Sequence, residues 1–300
     1  MYSLEYIKQK FDRIKENKFL NAQSKGDRLK SNPIKFVYIF LWQKMQSLLV
    51  YDLHIKKPLV SIKTFWGEKI TMVLPRPSFL YFFGFLGKSE LYLTDYLINN
   101  LKTGDVFIDG GANIGFYSLL ASNLVGDSGS VHSFEPGKTT FSILRENVKS
   151  KNNIICNEKA LWLKTESVSF VNNDLKDNLY GTIKKIGHNH ISFDKSLEVN
   201  AVSLDDYCVA NRVIPSIIKL DTEGTELDIL KGSINVIINN HPIIVVEILK
   251  ESIQHGLYKK FSSFLSPHSY KCYQLVGDYS EKEILERNDI NTKFYNFVFK

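Results

Sequence analysis

The chain is poor in cysteine, methionine and tryptophan, with three of each in 300 residues. Cys156, Cys208 and Cys272 form no CxxC pair and no zinc-ligand spacing, and an odd number cannot pair completely. A disulfide framework is therefore not expected, and a reduced, cytoplasmic compartment is the simplest reading. Long apolar runs are also missing. The best candidate, "FVYIFLWQKMQSLLV" at residues 36–50, is interrupted by Lys44 and falls short of the roughly 20 residues needed to span a bilayer. The first twenty residues interleave charge with apolar positions, which is not the pattern of a cleavable signal peptide. No internal repeat, low-complexity tract or Pro/Gly-rich linker is visible.

Charge is unevenly placed. The net charge is +6, yet residues 1–60 hold twelve Lys/Arg against five Asp/Glu, leaving 26 against 27 in the remainder. Basicity confined to one extension is not the footprint of a nucleic-acid-binding domain, so no nucleic-acid partner is expected. Leu4, Ile7, Phe11 and Ile14 recur at helical spacing among lysines. That is first the pattern of a helix packed on its own domain, with a peripheral membrane contact through residues 1–50 at an anionic, inner membrane surface as the alternative. With 44% hydrophobic residues the chain can bury a full core.

The expected organisation is a basic helical extension over 1–60, a strand and helix lead-in over 61–102, and a domain over 103–300. "LVSIKTFWGEKITMVLP" alternates like two strands about a glycine turn, and a helix follows near 89–101. Beyond Thr103 short apolar strands, at 106–109, 130–135, 154–157, 217–221 and 243–247, are separated by helical stretches near 115–124, 138–149 and 225–239. This order predicts an α/β fold with a mostly parallel sheet covered by helices on both faces. "YKCYQLV" and "KFYNFVFK" at the C-terminal end read as strands pairing antiparallel at an edge.

The most informative stretch is "TGDVFIDGGANIGFYSLLAS", residues 103–122, where a buried strand stops at Asp109 and a helix restarts almost at once. Gly111 and Gly115 permit a tight turn whose backbone a ligand can approach, at the carboxyl end of a strand where such sheets bind ligands. The turn reads Gly110-Gly111-Ala112-Asn113-Ile114-Gly115 and lacks the GxGxxG register of a dinucleotide site. Asp109 suits a positive charge, such as an amino group on the ligand. In "VHSFEP", Glu135 ends the next strand 24 residues after Gly111, where a carboxylate can take both hydroxyls of a ribose. The two features together point to a nucleoside-containing cofactor.

"GDVFIDGGANIGFYSLLAS", "VHSFEP", "LRENV", "KAL", "VSLDDY", "IIKLDTEGTELDILKG" and "PIIVVEI" also occur in an order and spacing that resembles the FkbM-type S-adenosylmethionine-dependent methyltransferases, over about residues 90–250. The resemblance implies a Rossmann-like class I methyltransferase fold, a sheet of seven strands with an antiparallel edge strand, and O-methylation of a hydroxyl, often on a sugar, glycolipid or polyketide. It implies S-adenosylmethionine held by Asp109, Gly111, Asn113, Gly115 and Glu135, with Ala160 and Leu161 at the adenine edge. The family more often has an aliphatic residue where this chain has Gly110. The implied acceptor is a hydroxyl-bearing carbohydrate or lipid-linked glycan; an NAD-dependent sugar oxidoreductase, and a non-catalytic methyltransferase-fold partner in glycan assembly, are the alternatives.

An alcohol acceptor must lose its proton, and Asp221, Glu223 and Glu247 supply carboxylates at the ends of the fourth and fifth strands. They can act as a general base, or they can hold a divalent cation, Mg²⁺ or Mn²⁺, that acidifies the hydroxyl. Lys219, buried in the same apolar run, is expected to pair with Asp221, Glu247 or another strand-end acid. Glu226 reads as a helix-start acid, and Asp205 and Asp206 as helix caps or acceptor contacts. His188 and His190 read as solvated, and His241 as a weak alternative base.

Overall fold

A computed structural model of the protein describes residues 1–22, 24–48, 59–74, 78–172, 181–183, 196–248, 253, 256–277, 279–285, 290–291 and 295–300. His188 and His190 lie outside the described residues. The chain divides into two compact units, one comprising Met1–Ile98 and the other the described residues from Asn99 onward.

The first unit contains α1 (Leu4–Lys15), α2 (Lys18–Asn21), α3 (Lys25–Ser31), α4 (Pro33–Ser47), β1 (Leu59–Lys63), β2 (Lys69–Val73), α5 (Ser78–Phe83) and α6 (Leu91–Asn100). Ser3 caps α1 by accepting from the Tyr6 amide, and Asn32 caps α4 ahead of Pro33, where a missing N–H does no harm. Ile7, Phe11 and Ile14 are buried, with the Phe11 ring against Phe65 and Phe85. The apolar stripe that suited a membrane surface therefore packs inside its own unit. β1 and β2 form the expected antiparallel hairpin about Gly67. No helix among the described residues is long and apolar enough to cross a membrane.

The second unit alternates strand and helix through β3 (Val106–Gly110), α7 (Phe116–Val125), β4 (Ser130–Phe134), α8 (Lys138–Val148) and β5 (Ile154–Asn157). It continues with β6 (Ala160–Leu161), β7 (Glu166–Asn172), β8 (Gly181–Ile183), β9 (Ser196–Val202), α9 (Leu204–Asn211), β10 (Ile217–Leu220), α10 (Glu226–Lys231), α11 (Ile234–Asn240) and β11 (Ile243–Glu247). It closes with α12 (Leu257–Leu265), β12 (Cys272–Leu275), β13 (Glu281–Glu283) and β14 (Asn296–Phe299). The main sheet has eight strands in the order β13-β12-β14-β11-β10-β3-β4-β5. β5, β4, β3, β10 and β11 are parallel, and β14 pairs antiparallel with β11 and β12. Adjacent residues of β4 show that both faces are covered, since Ser133 bonds to Ser118 of α7 and His132 to Tyr207 of α9.

Three expectations need correction. The sheet has eight strands instead of seven because β13, whose sequence is Glu-Lys-Glu, adds an edge strand without apolar alternation. A separate four-stranded sheet, β6-β9-β7-β8, was not foreseen, and its first strand has only two residues. The single helix expected over 225–239 is two helices, because Asp205 accepts from the amides of Asn235 and Val236 and so caps α11 as an independent start.

Candidate functional site

Strand order reverses between β3 and β10, since β4 and β5 continue outward from β3 while β11 lies beyond β10. Ligands of open α/β sheets bind at such a switch point, outside the carboxyl ends of the strands. Here the turns after β3 and β10 touch. The Asp221 amide donates to the Gly110 carbonyl at 3.1 Å. A Cβ on Gly111, whose φ is +74°, would stand 1.9 Å from the Asp221 carbonyl oxygen. Only glycine fits there, on steric and conformational grounds alike. A Cβ on Gly110 would stand 2.9 Å from Leu220 Cδ2 and 3.0 Å from Leu161 Cδ1. Those two leucines fill the space that an aliphatic residue at 110 would take.

The turn is tied to β4 by backbone and side chain together. The amides of Gly111 and Ala112 donate to the Phe134 carbonyl. The Asn113 amide donates to Glu135 Oε2 at 3.1 Å, and the Gly137 amide to Glu135 Oε1 at 2.9 Å. Both carboxylate oxygens of the buried Glu135 are thus held by main-chain donors. Asn113 has a φ of +51°, and Gly115 a φ of +90° at the start of α7. Ala160 and Leu161, both buried, form β6 beside β9, and Leu161 reaches the turn through its contact with Gly110.

Asp109 faces into the protein. It is fully buried, accepts from Lys219 Nζ at 3.1 Å and from Ser118 Oγ at 2.7 Å, and Ser133 Oγ donates in turn to Ser118. The amino group that Asp109 meets is the chain's own. Lys219 lies 3.8 Å from Asp221 Oδ2 and its ammonium stands 5.4 Å from the Tyr117 ring centroid. Ser118 and Ser133 carry no sequence signal for this role beyond being small polar residues inside apolar runs.

At the end of β10 the side chain of Asp221 is partly open to solvent. Glu223, with a φ of +56°, is exposed as a residue. Its carboxyl is nonetheless held above the ordinary carboxylate range, first by loss of water around it and then by the charges of Asp221 and Glu226. Glu226 is buried and organises this turn, accepting at Oε1 from the Thr222 amide, the Thr222 hydroxyl and the Gly224 amide. Its pKa is raised too, with desolvation outweighing those donors. Glu247 sits at the end of β11 opposite Asn296 of β14. Asp221, Glu223 and Glu247 are not gathered as cation ligands: among the described residues no three His, Cys, Asp or Glu side chains could hold a metal ion.

Other candidates resolve into structural roles. Asp205 caps α11, and Asp206 accepts from the hydroxyl of Thr165 while its amide donates to the Ser203 side chain that caps α9. His241 precedes β11, so it lies at the amino ends of the parallel strands, opposite Asp221, and stacks on Tyr270 with centroids 4.2 Å apart. It is no base for chemistry at the other edge.

His132 is buried beneath the sheet, with Nδ1 2.7 Å from the Tyr207 hydroxyl, which accepts from Asn157 and so has its own proton to give. Burial pushes its pKa down from 6.5 to about 4. Between those values the unfolded chain binds the extra proton, so this contribution is complete above pH 6.5 and is lost as pH falls towards 4, on the order of 3 kcal/mol in all. Guanidinium midpoints for the wild type should drop between pH 7.5 and pH 5 more steeply than those of His132→Gln. Equal slopes would place the titrating group elsewhere.

The profile of the "Methyltransferase FkbM domain" matches residues 109–271, from the last acid of β3 to the edge of β12. The chain belongs to the FkbM methyltransferase family. Its fold is the Rossmann-like class I methyltransferase fold, an α/β sheet flanked by helices. The chain is 28% identical over 154 residues to the hexuronic acid methyltransferase AglP of Haloferax volcanii, covering 51% of this chain and 59% of that protein. Among solved structures it is similar to the FkbM methyltransferase of Methylobacillus flagellatus, with 16% identity, a TM-score of 0.44, and coverage of 71% of this chain and 50% of that one. It is also similar to Aeropyrum pernix fibrillarin in complex with S-adenosyl-L-methionine, with 9% identity, a TM-score of 0.40 and coverage of 67% of each chain. The chain thus spans under two thirds of the archaeal enzyme and half of the Methylobacillus protein.

Proposed function

We propose that this FkbM-family chain is an S-adenosylmethionine-dependent O-methyltransferase acting on a hydroxyl of a sugar, glycan or glycolipid, with residues 103–300 as its catalytic domain. The observation that carries this reading is the contact of the turns after β3 and β10, with Gly111 against Asp221 and Glu135 fixed across the same turn. A glycine turn fixed at the carboxyl ends of β3 and β10, next to a buried carboxylate at the end of β4, fits a nucleoside bearing a ribose. When bound, the cofactor supplies an electrophilic methyl group on a sulfonium. The turn from Gly111 to Gly115 would seat it, Glu135 would accept from the ribose hydroxyls, and Ala160 and Leu161 would border the adenine. Asp109 supports the turn from behind through Lys219.

Asp221 is the residue assigned to take the acceptor's proton. Its side chain is partly open to solvent at the same sheet edge, and Lys219 does not depend on it because Asp109 is the nearer partner. Glu223 and Glu247 are assigned supporting positions around the acceptor. The activity named for the archaeal relative makes a uronic-acid-containing saccharide the first acceptor to assay. Nothing in the turn favours the nicotinamide alternative, since the GxGxxG register is missing.

Calorimetry with S-adenosylmethionine, its demethylated product and NAD tests the cofactor assignment directly. The first two should bind and NAD should not; preference for NAD would reject the proposal. Glu135→Ala should weaken cofactor binding by roughly 30- to 1000-fold, the loss of a charged bidentate acceptor being about 2 to 4 kcal/mol. Because Glu135 also holds the amides of Asn113 and Gly137, the measurement belongs well below the variant's melting temperature. Unchanged affinity in the folded variant would remove Glu135 from the site.

A further inference from the structure

We infer that α4 is a membrane-contact helix that lays its outer face on an anionic lipid surface. α4 packs into its unit through one side only: Ile39 and Gln46 are buried, Trp42 stacks on Tyr81 at 3.9 Å, and the Lys35 ammonium stands 3.9 Å from the Phe83 ring centroid. On the other side Ile34, Val37, Tyr38, Leu41, Met45 and Leu48 share one helical face and are exposed, from 39% at Met45 to 70% at Ile34. A helix apolar on both sides is normally covered on both, and a contiguous exposed apolar stripe marks a contact surface.

Charge identifies what covers it. From Arg28 to Leu48 the chain carries Arg28, Lys30, Lys35 and Lys44 and no acid at all, and residues 1–48 hold ten Lys/Arg against four Asp/Glu. An apolar and aromatic face on α4, with Lys44 beside it and Lys30 in the preceding helix, is the composition of a helix lying in the headgroup region of an anionic bilayer. A second copy of the chain would bring the same positive surface against itself. Spanning is excluded by length, since the 15 residues of α4 extend only about 22 Å against about 30 Å of hydrocarbon. α1 is not the contact, because Ile7, Phe11 and Ile14 are buried. A catalytic domain brought to a membrane in this way meets lipid-linked acceptors, although the inference itself does not require the proposed activity.

Co-sedimentation of the full chain with phosphatidylcholine vesicles, with and without about 30 mol% phosphatidylserine, tests it. Binding should require the anionic lipid and fall between about 0.05 M and 0.5 M salt as the attraction is screened. The triple variant Val37→Ser/Leu41→Ser/Met45→Ser should lower partition on the order of 100-fold, with an unchanged circular-dichroism melt because all three side chains are exposed. Lys30→Gln and Lys44→Gln should each lower it about 5-fold. Wild-type recovery independent of vesicles, or a triple variant that partitions like the wild type, overturns the inference. So does self-association in ultracentrifugation that the triple variant abolishes without lipid, which would assign the face to a second copy.

Discussion

Asp221→Asn is expected to lower kcat by about 10²- to 10⁴-fold, the usual contribution of a general base, with little change in affinity for the cofactor. Asparagine is nearly isosteric with aspartate and lacks only the charge and the basicity. The backbone contacts of residue 221 do not depend on the side chain, since its amide donates to Gly110 and its carbonyl faces Gly111. Lys219 keeps its nearer partner, Asp109, at 3.1 Å, so the substitution leaves no buried cation stranded. Single-turnover methyl transfer, read beside calorimetric affinity for S-adenosylmethionine, separates the chemical step from binding. A variant that turns over normally would remove Asp221 from the chemistry, and Glu223→Gln would then be the next variant to measure.

The second large effect is on the fold. Lys219→Met should destabilise the protein by about 3 to 5 kcal/mol, because it strands the fully buried Asp109 carboxylate with the Ser118 hydroxyl as its remaining partner among the described residues. Asp109→Asn should cost less, since Asp221 stands 3.8 Å from the ammonium and can hold part of its charge. The double variant Asp109→Asn/Lys219→Met should be more stable than the sum of the single losses implies, as removing both charges lifts the desolvation penalty that each single change exposes. Guanidinium unfolding of the four proteins measures the coupling. Additive losses would mean that the pair does not act as a unit. Cofactor affinity should fall along with stability in Lys219→Met, because the pair backs the glycine turn from inside the sheet.

The register of β3 and β10 explains why this pairing needed the structure. Lys219 stands directly beside Asp109 in the parallel ladder, with Val245 on its other side. From sequence alone Asp109, Asp221 and Glu247 all end neighbouring strands and are equally available; one step of register chooses among them. Asp205 was open in the same way, because a capping acid looks identical whether it caps its own helix or, as here, the one thirty residues later.

Strands and glycine turns are local, so they were legible. Alternation and apolar runs located β3, β4, β5, β10 and β11 to within one residue at each end, and the glycine turn and the strand-end acid they picked out, Gly111 and Glu135, meet at one turn in the structure. Those features depend on which residues follow one another, and short-range sterics dictate them. The two-residue β6, the charged edge strand β13 and the break between α10 and α11 depend on partners distant in the chain, and their own residues carry no periodic signal. The basic N-terminal region shows the same division. Its apolar spacing determined that helices would form there, but only packing decided which of them had apolar surface to spare. α1 buries its stripe against Phe65 and Phe85, whereas α4, apolar all round, can turn only one side inward.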